Sequence, residues 1–259
     1  MMSVLVNGAY LPFTSAPNAM QRYVRPALFS TGDALYELQK VGTVFMAKYR
    51  NWSFGLMTAH QGSGSNGAPS AEKFVVVVDD GEKRLAVPPS TILKPRIDDP
   101  EHLSLEDLIF LDYSTTSRPL NHLDLSPTLW SDSDGLSTDY SFLVGFPTSS
   151  MVIELDPNGE PRLDKFTPRW IRQDLEQASP EPLDPDNREM FVKHQRSTRL
   201  SIDPDGLSGS PVFSIVSDRG KERHLRFDGI VTHARGDRFA VYPSAFIRRV
   251  LDSIVDNMA

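Results

Sequence analysis

Cysteine is missing altogether from this chain of 259 residues. That excludes disulfide cross-links, thiolate catalysis and cysteine-ligated zinc. Long hydrophobic runs are missing too: Met1 to Phe13 is broken by Asn7, Gly8 and Pro12, and no later stretch is apolar for long enough to cross a bilayer as a helix. The opening residues hold no basic segment followed by a long apolar one, so no signal peptide is expected. Nor is there an excess of positive charge. Against 34 Asp and Glu stand 27 Lys and Arg, a formal net charge of −7, whereas phosphate binding calls for a basic surface. The expectation is a cytoplasmic protein whose partners are neither nucleic acid nor membrane.

What is present is the composition of a globular domain, 39% hydrophobic and 24% charged. Helical periodicity is rare before the C-terminus, and strand signals recur throughout. Val41 to Tyr49 and Trp52 to Ala59 read as a hairpin turning at Arg50-Asn51 and delivering His60 at its end. Lys73 to Asp79, Arg84 to Val87 and Leu108 to Leu111 follow as strands. The Ser-, Asp- and Pro-rich span 114–138 reads as a crossing between two halves. Tyr140 to Pro147, Met151 to Leu155, Glu189 to His194, Pro211 to Val216, Leu225 to Thr232 and Phe239 to Tyr242 supply the second half. Residues 156–188, rich in proline and acids, read as a long loop around one or two strands.

Ala34 to Lys40 predicts a short helix. At the end, Phe246, Ile247, Val250, Leu251, Ile254 and Val255 recur on one helical face behind a Ser244 N-cap. The expected fold class is all-β, a sandwich or a pair of barrels, with a C-terminal helix. The expected division is an N-terminal arm over 1–40, a first barrel over 41–130, a second over 131–243 and the helix over 244–259.

Chemistry concentrates at Asp203-Pro-Asp-Gly-Leu-Ser-Gly-Ser-Pro-Val-Phe213. Small residues around Ser208 let the backbone turn sharply and bring amide N–H groups to one point. A hydroxyl beside converging amides is what acyl transfer needs: a nucleophile next to a site that holds an oxyanion. Two further elements supply a base and an orienting carboxylate. Thr58-Ala59-His60 closes the early hairpin, and Asp107 opens the apolar strand Leu108 to Leu111.

The order His60, Asp107, Ser208, in these contexts, resembles the trypsin-like (chymotrypsin-fold) serine peptidases over about residues 41–258. In that respect the chain looks closest to their disulfide-free bacterial members. The resemblance implies that His60 is the general base, Asp107 orients it, and Ser208 is the nucleophile. It also implies an all-β fold of two packed six-stranded antiparallel barrels with a C-terminal helix, and that the amides of Gly206 and Ser208 form the oxyanion hole. By position Ile202 would lie at the base of the primary pocket, Thr232, His233 and Ala234 along one wall, and Ala240 opposite. An apolar base and alanine walls predict small or medium apolar residues before the scissile bond. Asp203 and Asp205 lie close enough in sequence to compete with Ile202.

Other assignments fare worse. Asp112 follows its apolar strand instead of preceding it, and His102, His122, His194 and His224 show no metal-ligand spacing. The Gly-x-Ser-x-Gly elbow of α/β-hydrolases fails at Ser210, and the order Ser, acid, His is absent. The expected reaction needs no cofactor and no metal. Its substrate is a protein or peptide.

Two features depart from the digestive and clotting members. Leu207 stands where they carry the acid that pairs with a freed N-terminal amine, and no Ile-Val-Gly-Gly-like start precedes the first barrel. Amine-triggered activation is therefore not expected, and the 156–205 segment is the expected controller of the Ser208 turn. The alternatives are a latent or inactive protease-fold binding or sensing module, and an effector peptidase switched on by a protein partner.

Overall fold

The computed structural model of the chain describes residues 2–30, 38–62, 73–79, 84–95, 107–118, 120–155, 161–179, 189–193, 203–218 and 222–258. Through the first half run β1 (Ser3–Val6), β2 (Ala9–Pro12), the single helical turn α1 (Ala16–Ala19), β3 (Val24–Ser30), β4 (Leu38–Tyr49) and β5 (Trp52–Thr58). They are followed by β6 (Phe74–Asp79), β7 (Arg84–Val87), β8 (Thr91–Leu93) and β9 (Leu108–Asp112). Short pieces β10 (Leu123–Asp124) and β11 (Leu129–Trp130) lie in the crossing. The second half holds β12 (Ser137–Gly145), β13 (Met151–Leu155), β14 (Pro161–Pro168), β15 (Ile171–Ala178) and β16 (Glu189–Lys193). It ends with β17 (Pro211–Ser217), β18 (Arg223–Arg235), β19 (Arg238–Pro243) and the helix α2 (Ser244–Met258).

The all-β expectation holds. In the second half β12, β15, β16, β19, β18 and β17 pair antiparallel in that order, and β17 pairs back onto β12, closing a six-stranded barrel. The first half is a curled sheet of seven strands, β7-β6-β3-β4-β5-β9-β8, a half-barrel rather than a closed one among the described residues. Its two edge strands are joined through Pro88-Pro89. Proline has no N–H to donate to a ladder, which suits it to a sheet edge.

Period-two alternation sorts the side chains into three cores. Val44 and Met46 face the half-barrel interior with Met57, Ile109 and Leu111. Leu143, Val212 and Val231 fill the closed barrel. The intervening residues, Phe45, Phe142 and Phe213, join Phe227 in a third cluster at the seam between the halves. There Phe45 meets Phe213 edge-on at 5.7 Å and lies tilted against Phe227 at 5.2 Å.

Of the expected arm over 1–40, the described residues are shared between the halves. Strands β1 and β2 pair through an Asn7-Gly8 turn with both residues at positive φ (48 and 79), and β1 runs parallel to β18 of the second half. Strand β3 sits inside the half-barrel, bonded to β4 and β6. The helix expected over Ala34 to Lys40 is not formed at its C-terminal end, because Leu38 to Lys40 begin β4 and pair with Leu28 to Ser30; positions 34–37 lie outside the described residues. Two strands, β14 and β15, lie within the 156–188 span, where a long loop around one or two strands is expected.

Helix α2 buries Ile247, Leu251 and Val255, one face as the spacing predicts. Its N-terminus is tied differently. The Ser244 hydroxyl donates to the Phe227 carbonyl (2.5 Å) and accepts from the Ser131 N–H (2.8 Å), while Ser131 Oγ accepts from the Ala245 N–H (3.1 Å). A serine from the crossing thus supplies the cap.

Candidate active site at the seam

Register delivers the first two groups. Strands β5 and β9 pair antiparallel down to Thr58 opposite Leu108, so the residues after Thr58 and before Leu108 emerge at the same end of the sheet. His60, in the 3₁₀ turn Ala59–Gly62, is therefore presented to Asp107. The carboxylate accepts from His60 Nδ1 at 2.7 Å through Oδ2, and from the His60 backbone N–H at 2.9 Å through Oδ1. These two bonds fix both the ring and its backbone. A proton held on Nδ1 leaves Nε2 with a free lone pair, the form of a general base. The histidine side chain is 45% exposed and the aspartate 21%, so the base opens to solvent while its carboxylate is sheltered.

The third group stands on the turn leading into β17. Gly206 and Gly209 adopt φ of 85 and 83, a region that glycine enters without strain. A Cβ on Gly209 would lie 2.0 Å from the Thr43 carbonyl oxygen, so glycine is required for the two backbones to approach. Around them the peptide groups are paired in alternation. The Leu207 N–H donates to Pro204 O (3.0 Å) and the Gly209 N–H to Val231 O (2.8 Å). The amides of Gly206 and Ser208, between them, have no hydrogen-bond partner among the described residues. Two donors on one short turn are thereby left for an acceptor to meet.

The Ser208 hydroxyl donates to the Thr232 carbonyl at 3.2 Å and not to His60. The two groups nevertheless share one neighbourhood. Gln61, next to His60, donates from Nε2 to the Ser208 carbonyl at 2.6 Å, and the His60 ring stacks on His233, next to Thr232, at 5.6 Å and 25°.

Of the expected pocket residues, Ile202 lies outside the described residues. Thr232 is buried and donates to the Ala240 carbonyl (3.2 Å), Ala240 is buried opposite His233, His233 is exposed, and Ala234 packs partly against the closed-barrel core. Asp203 accepts from the Asp205 N–H at 3.1 Å, a local turn bond. Asp112 is buried, accepting from Ser90 Oγ (2.8 Å) and the Ser114 N–H (2.9 Å), so it serves the half-barrel's strand ends. His122 is half-buried and burial lowers its pKa; His224 sits 3.5 Å from Glu222; His102 and His194 lie outside the described residues.

Two residues that sequence reasoning does not single out belong to this site: Thr43, in β4, and Gln61. Gln61 has a signal in its adjacency to His60. Thr43 has none, because it reaches Gly206 across 163 positions of chain.

No protein-family model matches the chain, and no curated protein sequence matches it. The closed barrel and curled half-barrel are consistent with a chymotrypsin-like double-barrel fold, with a His–Asp pair and a glycine-framed serine brought together at the seam.

Proposed function

We propose that the protein is a serine endopeptidase using Ser208, His60 and Asp107. The observation that carries this reading is the His60–Asp107 pair (2.7 Å) standing beside a serine turn that keeps two amides unpaired. The reading requires the Ser208 side chain to turn Oγ from the Thr232 carbonyl to His60 Nε2, by a change between staggered rotamers. Nε2 takes the Oγ proton as Oγ attacks the substrate carbonyl, and Asp107 stabilises the imidazolium. The Gly206 and Ser208 amides receive the oxyanion. The C–N bond then breaks, the amine leaves with the proton from Nε2, and water activated by His60 releases the acid from Ser208. No cofactor or metal enters these steps.

Thr232, His233, Ala234 and Ala240 would border the residue before the scissile bond, which favours a small or medium apolar side chain there. The cytoplasm is the compartment this reading assumes, and no helix among the described residues is long and apolar enough to cross a membrane. One observation favours a second reading, a latent module or an effector awaiting a partner: the Ser208 hydroxyl rests on Thr232 instead of His60. A proteome-derived peptide library incubated with the chain and analysed by mass spectrometry separates the two. The peptidase reading expects new termini after small apolar residues, lost with Ser208→Ala. Efficient cleavage after Arg would overturn the specificity, and absence of any Ser208-dependent cleavage would favour the latent module.

A further inference from the structure

We infer that the Ser208 turn is held in its anion-receiving form by ties from Thr43, Gln61 and Thr148, so that no amine-triggered ion pair is needed to order it. This rests on the peptidase reading and concerns how that site is regulated. Each peptide group of the turn is pinned at its carbonyl. Asp205 O accepts from the Thr148 N–H (2.8 Å), and Leu207 O accepts from the Ser210 N–H (3.0 Å). Gly206 O accepts from Thr43 Oγ1 (2.9 Å), while Ser208 O accepts from Gln61 Nε2 (2.6 Å) and from the Thr43 N–H (3.3 Å). The free N–H groups of Gly206 and Ser208 are thus the far ends of peptides whose carbonyls are already bound. Turning either peptide over would break a formed bond and remove an amide from the site.

Thr43 is the node. Its hydroxyl is fully buried, donating to Gly206 O and accepting from the Phe146 N–H (3.0 Å). It thereby joins the half-barrel, the β12–β13 connection and the turn. Leu207, 2% exposed, adds an apolar anchor in the closed-barrel core at the position where amine-triggered relatives need an ion pair. Of the 156–205 segment, Pro204 and Asp205 bond into this arrangement among the described residues, as acceptors for the Leu207 and Thr148 N–H groups. The donors to the Asp205, Gly206 and Ser208 carbonyls, which are Thr148, Thr43 and Gln61, lie outside that segment.

The test uses the unprocessed chain, a fluorophosphonate probe and amide NMR. Thr43→Val keeps the shape but removes donor and acceptor; Thr43→Ser keeps both; Gln61→Leu is the second variant should Thr43→Val unfold. Because an oxyanion-hole donor is worth about 10²–10³ in rate, its misplacement should lower the maximal labelling rate by roughly 10- to 100-fold. The apparent probe affinity should stay within about 3-fold, and Thr43→Ser should recover most of the loss. The Gly206 and Ser208 amide signals should be sharp in the wild type and broadened in Thr43→Val. Unchanged labelling and unchanged amide signals in Thr43→Val and Gln61→Leu would overturn the inference, as would wild-type amides that sharpen only after proteolytic processing. A wild type with sharp amides and no labelling would count against the peptidase reading alone and leave the ordering intact.

Discussion

Asp107 makes two bonds to one residue, and they do different work. The bond to the His60 backbone N–H fixes where the residue stands; the bond to Nδ1 fixes which nitrogen carries the proton. Asp107→Asn should keep the position while its amide can turn an N–H towards Nδ1, favouring the wrong tautomer. Turnover should fall by about 10⁴, with substrate affinity and melting temperature little changed. A loss below about 10-fold in steady-state kinetics would show that the carboxylate is not orienting a base. At this scale the sequence was informative where chemistry and local context coincide, as at His60, Asp107 and Ser208. It was silent on Thr43, a strand threonine like any other until folding sets its hydroxyl against Gly206. It was also silent on the pairing of Ser131 with Ser244, which reassigns a cap that local spacing places on Ser244 itself.

Among the elements, β16 carries an unexpected titration. Burial, then the charge of Asp228, raises the Glu189 carboxyl to about 7, with Arg226 working against them. Asp228 is itself fully buried and raised by burial, despite Arg226 Nε donating to it at 2.6 Å and Ser214 Oγ at 2.5 Å. A carboxyl with a higher pKa in the fold than in the unfolded chain binds more protons when folded. Stability is therefore greatest below the unfolded value, about 4.5, and falls as pH rises towards 7. Glu189→Gln should flatten this slope. Its melting temperature relative to wild type should rise between pH 5 and pH 7.5, by an amount corresponding to about 1–2 kcal/mol after allowing for solvent screening. Parallel pH–melting curves for the two proteins would contradict the assignment.

The strands themselves were largely legible, because alternation and turn residues are local signals. The Asn7-Gly8 hairpin also has such a signal, but the destination of that hairpin, beside β18, is a long-range pairing that no local pattern encodes. At Leu38 to Lys40, the end of the predicted helix, β4 forms instead for the same reason: the partner strand β3 decides the backbone there.

For the whole molecule, the seam is the organising feature. Phe45 from the half-barrel packs against both Phe213 and Phe227 of the closed barrel. Each fully buried ring contributes on the order of 1.5–3 kcal/mol. Arg50, held at the left-handed φ of 53 in the β4–β5 turn, pairs with Asp252 and Asp256 of α2 at 2.7 Å each, so the C-terminal helix also bridges the halves. That bracing keeps His60 and Asp107, which belong to one half, in register with Ser208, which belongs to the other. The two-half plan was visible in the order of motifs along the chain. Which half closes was not, since closure depends on β17 meeting β12, and on β7 and β8 staying apart.

The central claim is that Ser208 is a nucleophile activated by His60 across this seam. Intact-mass analysis of the chain after exposure to a fluorophosphonate tests it most directly. The account predicts one adduct, mapped to Ser208, absent from Ser208→Ala and strongly slowed in His60→Ala. A folded wild-type protein that takes up no adduct, or takes it up at another residue, would contradict it.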